Sequence, residues 1–430
     1  MIAALLGALL ATSPIQTPAP QVAAPSSAVP GSELTIYLMT MGTGDQVWER
    51  FGHNAIRIVD QARGTDSVYN WGTFDFKQPN FITRFLTGST LYWMQGDPMQ
   101  ETVAAYRYLN RSVWVQELDL TPAERASVRD FIAWNAKEEN RYYRYDYYLD
   151  NCSTRVRDVI DRIVGGQLKA ATATRLTGTS YRFHTQLALR DDAAVAMGTN
   201  IGLGEVADRD LSQWEEAFLP ERLQAHVREL KVRGADGTVH PLVKNEQQLF
   251  AATRPPMPDA PPNVLWRNLA IGVLLAALLA WLASSARKGG RMARRSFATL
   301  ATIWATLNCI FGILFIVGWT ATRHVFMARN ENLLQFDPLS LALAFLLPFA
   351  IARGRSANTV RLLARVVAVL AVVGLVIKVI PVFNQVNLAV IAMTLPVHLA
   401  LAWGVRTLVP GTAPERSTAA ARAAVSRSAA

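Results

Sequence analysis

The sequence predicts a mixed α+β folded domain followed by an all-α transmembrane domain of about five helices. Residues 33–250 alternate between strand and helix patterning, as compact domains do. Apolar residues make up 51% of the 430-residue chain and concentrate in its last third. That part holds apolar runs near the length that crosses a bilayer, at residues 269–286, 297–320, 339–352, 362–382 and 386–405. The third run is the shortest and contains Pro348, so it departs most from a spanning helix.

Composition divides the chain into five parts. Residues 2–11 form an apolar run like the core of a secretory signal, and an Ala-, Pro- and Ser-rich linker extends this first part to residue 30. The run lacks a basic start, so cleavage and retention as an anchor both stay open. The other parts are a folded domain, a proline-rich linker, a helical membrane domain and a cytoplasmic disordered tail, at residues 31–250, 251–262, 263–406 and 407–430.

The net charge of +10 comes from the membrane part of the chain. Residues 31–262 carry 26 Lys and Arg against 30 Asp and Glu, whereas the rest carries 17 against 3. The folded domain is therefore mildly acidic, which argues against a nucleic-acid partner. Basic residues cluster after the first, third and fifth apolar runs, and basic loops face the cytoplasm. This pattern predicts a multi-pass protein of the bacterial inner membrane, with a periplasmic folded domain and a cytoplasmic C-terminus.

Local patterns outline the elements of the folded domain. Apolar, aromatic or alternating segments predict strands at residues 33–41, 54–60, 69–76 and 113–120. Thr121, Pro122 and Glu124 carry the signature of a helix start, and this helix is predicted to reach about residue 140. A second helix is predicted to begin near Cys152 and to end at Gly165.

Cys152 is the strongest candidate for a catalytic residue. It falls at the start of the predicted helix, on the face of Val156, where the helix dipole lowers a thiol pKa and favours the thiolate. The other cysteine, Cys309, lies in an apolar run, so Cys152 has no disulfide partner in an oxidising compartment. A buried structural cysteine is the alternative, but the polar neighbours and the helix start favour a nucleophile.

A cysteine nucleophile usually needs an imidazole as its base, and the sequence favours His53. His53 immediately precedes the alternating strand, from which its side chain can face a helix start. His184 lies in a polar stretch, His226 on an exposed helical pattern, and His240 in a turn before a proline.

A third group should orient the imidazole by accepting its other N–H. Asn70, on the next predicted strand, is the preferred candidate, and Asp75 and Asp146 are alternatives. The chain has no HExxH and no CxxC motif, so we expect neither metal catalysis nor a cofactor.

The oxyanion of an acyl-transfer reaction also needs hydrogen-bond donors. The backbone N–H of Cys152 is the natural one, and the Asn151 side chain or Tyr145 could add a second. The aromatic run at residues 142–148 could line an acyl-chain groove, but ordinary core packing or a membrane-interface belt explains it equally well.

Four motifs in the folded domain resemble the DUF4105 family, also called the Lnb N-terminal periplasmic domain. They are FGHNAIRI at residues 51–58, YNWGTF at 69–74, YDY at 145–147 and DNCSTR at 150–155. The resemblance covers about residues 33–225, including WEEAFLPERL at 214–223. The family is similar to permuted NlpC/P60 hydrolases, in which histidine precedes cysteine in the chain. The resemblance therefore implies a papain-like fold.

The same resemblance implies a cysteine acyltransferase of the lipoprotein N-acyl transacylase type. These enzymes move an acyl chain from the lipid glyceryl group to the N-terminal amine of a lipoprotein. The resemblance gives Cys152 the role of nucleophile and His53 that of base, with Asn151, Ser153 and Tyr145 as neighbours, together with Asp146. The expected partners are membrane lipids or lipoproteins. A cell-wall peptidase or amidase, a lipid hydrolase, and a non-enzymatic sensor or scaffold remain alternatives.

Overall fold

The computed structural model describes residues 29–410, so the signal-like run at 2–11 and most of the tail lie outside the described residues. The strands of this part are β1 (Leu34–Met41), β2 (His53–Asp60), β3 (Thr65–Thr73), β4 (Leu91–Pro98), β5 (Val113–Leu118), β6 (Tyr142–Arg144), β7 (Lys231–Arg233), β8 (Val239–Pro241) and β9 (Val243–Phe250). The helices of the folded domain are α1 (Phe81–Thr87), α2 (Met99–Tyr108), α3 (Pro122–Asn135), α4 (Glu138–Arg141), α5 (Cys152–Ile163), α6 (Gln167–Thr172), α7 (Tyr181–Ala188), α8 (Ala193–Gly202), α9 (Gln213–Glu216) and α10 (Pro220–Glu229). The helices that follow are α11 (Leu265–Arg287), α12 (Arg291–Ala321), α13 (Ser340–Arg353), α14 (Ala357–Val376) and α15 (Leu388–Leu408).

A seven-stranded antiparallel sheet forms the centre of the folded domain, in the order β6-β4-β3-β2-β1-β5-β9. Alternate residues of β1, such as Leu34 and Ile36, face a core that α3, α5 and α10 complete. The opposite face of the sheet packs under α2, where Met39 and Met99 are buried. Because β1 and β2 are covered on both faces, they hold their side chains rigidly, as a catalytic residue requires.

The four predicted strands are all present, each with at least one shifted end. The predicted strand at 69–76 starts earlier, at Thr65, and ends at Thr73. The helix after Thr121 stops at Asn135 rather than near residue 140. The Asn135 side chain explains this end, because it accepts a hydrogen bond from Trp71 Nε1 at 2.8 Å and donates to the Asn140 carbonyl at 2.8 Å.

The C-terminal part is helical, and four of its helices are long and apolar enough to cross a membrane. They are α11, α12, α15 and the segment Ala357–Val379, which contains α14. The predicted count of about five is not confirmed, because α13 has only 14 residues and contains Pro348. At 1.5 Å per residue it spans about 21 Å, less than the ~30 Å hydrocarbon layer.

The loop between α12 and α13 packs onto the folded domain. Phe326 of this loop is 2% exposed and lies among Tyr148, Tyr181 and Phe218. Asn330 Nδ2 donates to the Ile201 carbonyl at 2.9 Å, and Gln385 Nε2, from the loop before α15, donates to the Leu203 carbonyl at 3.0 Å. The two parts of the protein are therefore joined by ordered loops as well as by the linker.

Candidate active site

Helix α5 begins at Cys152, and its start is closed by a complete capping box. The Asn151 side chain accepts hydrogen bonds from Ser153 N and Thr154 N, both at 2.9 Å, while Thr154 Oγ1 accepts from Asn151 N at 2.8 Å. Such caps satisfy N–H groups that have no partner inside the helix. The cap therefore fixes the position of Cys152 relative to the helix axis.

The Cys152 thiol lies against the imidazole of His53. Strand β2 begins at His53, opposite Met41 of β1, and α5 packs on β2. The His53 side chain and the backbone N–H groups of Asn54 and Ser153 face the sulfur, and the Cys152 Cβ and His53 Cε1 border the same space beside Gly72. Burial raises the pKa of the Cys152 thiol, but the charge of His53 and hydrogen bonds from these groups outweigh burial, so the pKa lies below its ordinary value. The environment thus favours a thiolate.

Asn70 holds the other side of the imidazole, which is the contact that the sequence predicted. Its Oδ1 accepts from His53 Nε2 at 3.0 Å, which leaves Nδ1 as the ring nitrogen for the sulfur. Asn70 Nδ2 in turn donates to Asp97 Oδ2 at 3.2 Å. Cys152, His53, Asn70 and Asp97 therefore form one continuous series. Asp97, on β4, was not identified from the sequence, because only the pairing of β3 with β4 brings it close.

A buried polar contact ties α5 to the sheet beneath the site. Ser153 Oγ lies 2.8 Å from Asn54 Oδ1 and 2.7 Å from the Ala217 carbonyl, and Asn54 Nδ2 donates to Thr40 Oγ1 at 2.9 Å. Ser153 and Asn54 are fully buried. A satisfied buried network of this kind sets one arrangement of its elements. Ser153 and Asn54 therefore position the residues that precede them, Cys152 and His53.

Gly72 borders the sulfur and the imidazole. It lies at an irregularity in the pairing of β3 with β4 and has a φ of +111°. A Cβ atom at this position would stand 3.7 Å from the Cys152 Cβ and 3.9 Å from the His53 Cε1. A side chain would thus be strained and would also occupy space beside the reactive groups.

The backbone N–H of Cys152 is free to bind an oxyanion, since within residues 29–410 it has no hydrogen-bond acceptor. The suggestion that the Asn151 side chain adds a second donor is wrong. Its Nδ2 donates to the Tyr147 carbonyl at 3.1 Å and to the Phe218 carbonyl at 3.0 Å, so both amide hydrogens are engaged. Asn151 acts as a cap and as a brace.

Tyr145 remains available as a second donor. Its ring packs edge-on against Tyr92 at a centroid distance of 4.2 Å. Burial and then the charge of Cys152 raise the pKa of Tyr145 well above its ordinary value. The phenol therefore keeps its proton, and its hydroxyl has no hydrogen-bond partner in the described part of the chain.

The two alternatives for the third group lie in turns. Asp146 Oδ1 accepts from Tyr148 N and Leu149 N, both at 2.9 Å, and Asp75 Oδ1 accepts from Lys77 N at 2.8 Å. Neither carboxylate contacts the imidazole, so both suggestions are corrected. Asp146 shapes the bend that leads the chain into α5.

His184 and His226 belong to a second cluster, around Glu216. His184 Nε2 lies 3.3 Å and His226 Nε2 3.2 Å from the carboxylate oxygens. The prediction that His226 is exposed was wrong, since its side chain is only 9% exposed. Burial raises the pKa of Glu216, but hydrogen bonds from both histidines and the charge of Arg222 outweigh it and lower that pKa to about 2. His240 lies by Asp119, at 3.1 Å.

Fold and site together define a mixed sheet-and-helix domain with a cysteine and a histidine in contact, joined to apolar helices. Residues 21–185 match the model of the Lnb N-terminal periplasmic domain, so this part of the chain is similar to that family. The resemblance drawn from the motifs is thereby confirmed. No curated protein and no solved structure gives a significant match. The domain family and the four apolar helices indicate a membrane-associated periplasmic protein.

Proposed function

We propose that the protein is a membrane-anchored periplasmic cysteine acyltransferase of the lipoprotein N-acyl transacylase type. The observation that carries the proposal is the contact series from Cys152 through His53 to Asn70, with a free backbone N–H at the helix start. A thiol with a lowered pKa beside an oriented imidazole is the arrangement of a nucleophile and its base. The resemblance to permuted papain-like domains, with His53 before Cys152, supports the same chemistry.

In the first half-reaction, the Cys152 thiolate attacks an ester carbonyl of a lipid or lipidated protein. The backbone N–H of Cys152 and the Tyr145 hydroxyl stabilise the oxyanion of the tetrahedral intermediate. When the C–O bond breaks, protonated His53 gives its proton to the departing alkoxide. The products are an alcohol and a thioester on Cys152.

In the second half-reaction, an amine attacks the thioester carbonyl. His53 accepts the amine proton, and the C–S bond breaks to return the Cys152 thiolate. The sum of both steps converts an ester and an amine into an alcohol and an amide. Attachment to the membrane holds the enzyme and a lipid substrate at one surface, which raises their effective concentration.

The test uses full-length protein and a diacylglyceryl lipopeptide with a free N-terminal amine. Intramolecular transfer leaves the mass of the lipopeptide unchanged but moves one chain to an amide that alkali does not release. A lipid hydrolase would lower the mass by one acyl chain, and a cell-wall peptidase would release soluble muropeptides instead.

The matched variants are Cys152→Ala and Cys309→Ser, since Cys309 is buried in α12. We expect transfer and a hydroxylamine-sensitive acyl adduct in the wild type and in Cys309→Ser, and neither in Cys152→Ala. Unchanged turnover by a folded Cys152→Ala protein would exclude Cys152 as the nucleophile. A site that never acylates would favour the sensor or scaffold alternative.

We further propose that α13 crosses the membrane with the four longer helices and that the C-terminus is cytoplasmic. Two loops support this arrangement, one between α12 and α13 and one between α14 and α15, because both contact residues 201–204 of the folded domain. Lys378 and Glu331 form an ion pair that joins these two loops. Because both loops lie on the same side of the membrane as the folded domain, the basic loops lie on the other side, where the cytoplasm is expected.

The orientation can be tested with single cysteines at Val325 and Ser356 in a Cys152→Ala, Cys309→Ser background. An impermeant maleimide added to spheroplasts should label position 325, which is 49% exposed. Position 356, between α13 and α14, should react only after permeabilisation. Labelling of both positions in intact spheroplasts would contradict the proposed topology.

A further inference from the structure

Helix α1 presents an apolar face that no other part of the described chain covers. Ile82, Phe85 and Leu86 have helical spacing and are 68%, 56% and 61% exposed. Trp48 and Phe76, in edge-to-face contact at 6.2 Å, extend the same surface and are 59% and 61% exposed. A group of large exposed apolar side chains on one surface usually marks a contact with a partner or a membrane.

The position of α1 identifies its partner as the bilayer. Arg323 N donates to the Thr87 carbonyl at 3.0 Å, and His324 Nε2 lies 3.0 Å from the Phe85 carbonyl. These residues come just after Ala321, the last residue of the candidate span α12. At most ~3.6 Å per residue, Arg323 lies within about 7 Å of the end of that span. The 3.0 Å hydrogen bond from Arg323 then places the end of α1 about 10 Å from it. A helix at this level with large apolar side chains on its outer face matches an element that lies in a membrane interface.

A row of aromatic rings leads from α1 to the nucleophile. Phe81 stands 6.3 Å from Phe74, Phe74 stands 4.9 Å from Tyr92, and Tyr92 stands 4.2 Å from Tyr145, measured between ring centroids. Tyr145 packs against the core cluster that contains Val156 of α5, the helix that begins at Cys152. The row thus offers apolar surface from the outer face of the domain towards the helix that carries the reacting atom.

We propose that α1 inserts into the membrane leaflet next to the folded domain and that the ring row guides an acyl chain of a membrane lipid to Cys152. The insertion stands on the position and exposure of α1 alone. The guiding role rests on the proposed acyltransferase function. Arg84, in the last turn of α1, and Arg323 supply positive charge beside the apolar face, which suits anionic headgroups.

The insertion is tested without any enzymatic readout. A spin label is attached at Ile82→Cys in a Cys152→Ser, Cys309→Ser protein in phosphatidylethanolamine–phosphatidylglycerol vesicles. The control is Val239→Cys, which is 55% exposed in the hairpin beside Asp119. Asp119 follows β5 at the end of the sheet away from His53. We expect collisions with oxygen to dominate at position 82 and collisions with a water-soluble nickel complex to dominate at 239. Dominant nickel collisions at both positions would overturn the insertion.

The guiding role is tested with Ile82→Asp against Val239→Asp in otherwise native protein. We expect Ile82→Asp to slow thioester formation from vesicle phospholipid at least tenfold, and to leave acylation of Cys152 by a short water-soluble ester within twofold. Val239→Asp should change neither rate more than twofold. An unchanged phospholipid rate in Ile82→Asp would overturn guidance. If no ester acylates Cys152 in any protein, the acyltransferase function fails, while the spin-label result still decides the insertion.

Discussion

The buried ring of Phe326 should contribute most of the apolar contact by which the loop between α12 and α13 holds the folded domain. The ring lies 4.7 Å from Tyr148 and 4.8 Å from Tyr181, and the residue is 2% exposed. Replacing a buried phenylalanine with alanine costs about 3–5 kcal/mol. If the loop relaxes partly, a loss of ~3 kcal/mol raises the undocked fraction about 100-fold, at ~1.4 kcal/mol per factor of ten.

Limited trypsin digestion of Phe326→Ala in lipid nanodiscs measures this fraction, because Arg323 and Arg329 offer cleavage sites in the loop. Cleavage follows the population of the open form when reclosure is faster than cutting. Val325→Ala is the control, since Val325 is 49% exposed one residue away. We expect cleavage of Phe326→Ala to rise by at least tenfold and that of the control by less than twofold. Equal rates in all three proteins would refute the view that this ring docks the loop.

Three further predictions concern the two polar clusters and the glycine. His53→Ala should move the pH midpoint of Cys152 alkylation upward, because the lost charge and hydrogen bond stabilise the thiolate; an unmoved midpoint in iodoacetamide kinetics would contradict this. Glu216→Gln should cost roughly 2 kcal/mol of unfolding free energy at pH 6, after allowance for solvent screening. Because its pKa is lowered, the Glu216 carboxylate stabilises the folded state fully above about pH 4.5 and progressively less as the pH falls towards 2. The thermal unfolding temperatures of the variant and the wild type should therefore converge on acidification. Gly72→Ala should slow acylation at least tenfold without unfolding the protein, because alanine is strained at a φ of +111° and fills space beside Cys152 and His53. Wild-type acylation rates would refute this reasoning.

Elements with a local chemical cause could be predicted from the sequence. The capping residue Thr121 marks α3, and alternation marks β1 and β2. Strand β9 was missed, because Val243–Phe250 is largely polar and becomes a strand only by pairing with β5, more than a hundred residues earlier in the chain. Such a pairing is a property of the folded chain, which no window of sequence contains.

The same division applies to the site. Cys152, His53 and Asn70 could be placed because a helix start and two neighbouring strands bring them together, and the structure puts them in contact. Asp97 could not, since its role depends on the register of β4. His226 was wrongly predicted to be exposed, because its contact with Glu216, ten residues earlier, forms only when the chain folds. In the folded chain the His226 side chain is 9% exposed.

The contacts also give the membrane part a structural role at the site. The Phe326 ring packs against the Tyr148 and Tyr181 rings, in the same buried cluster as Phe218. Asn151 donates to the carbonyl of Phe218, and the same side chain caps the helix that carries Cys152. Displacement of the loop would expose this aromatic cluster and loosen the brace of the cap. The position of the Cys152 side chain should therefore be less well fixed in the folded domain alone, cut at its proline-rich linker, than in the full chain.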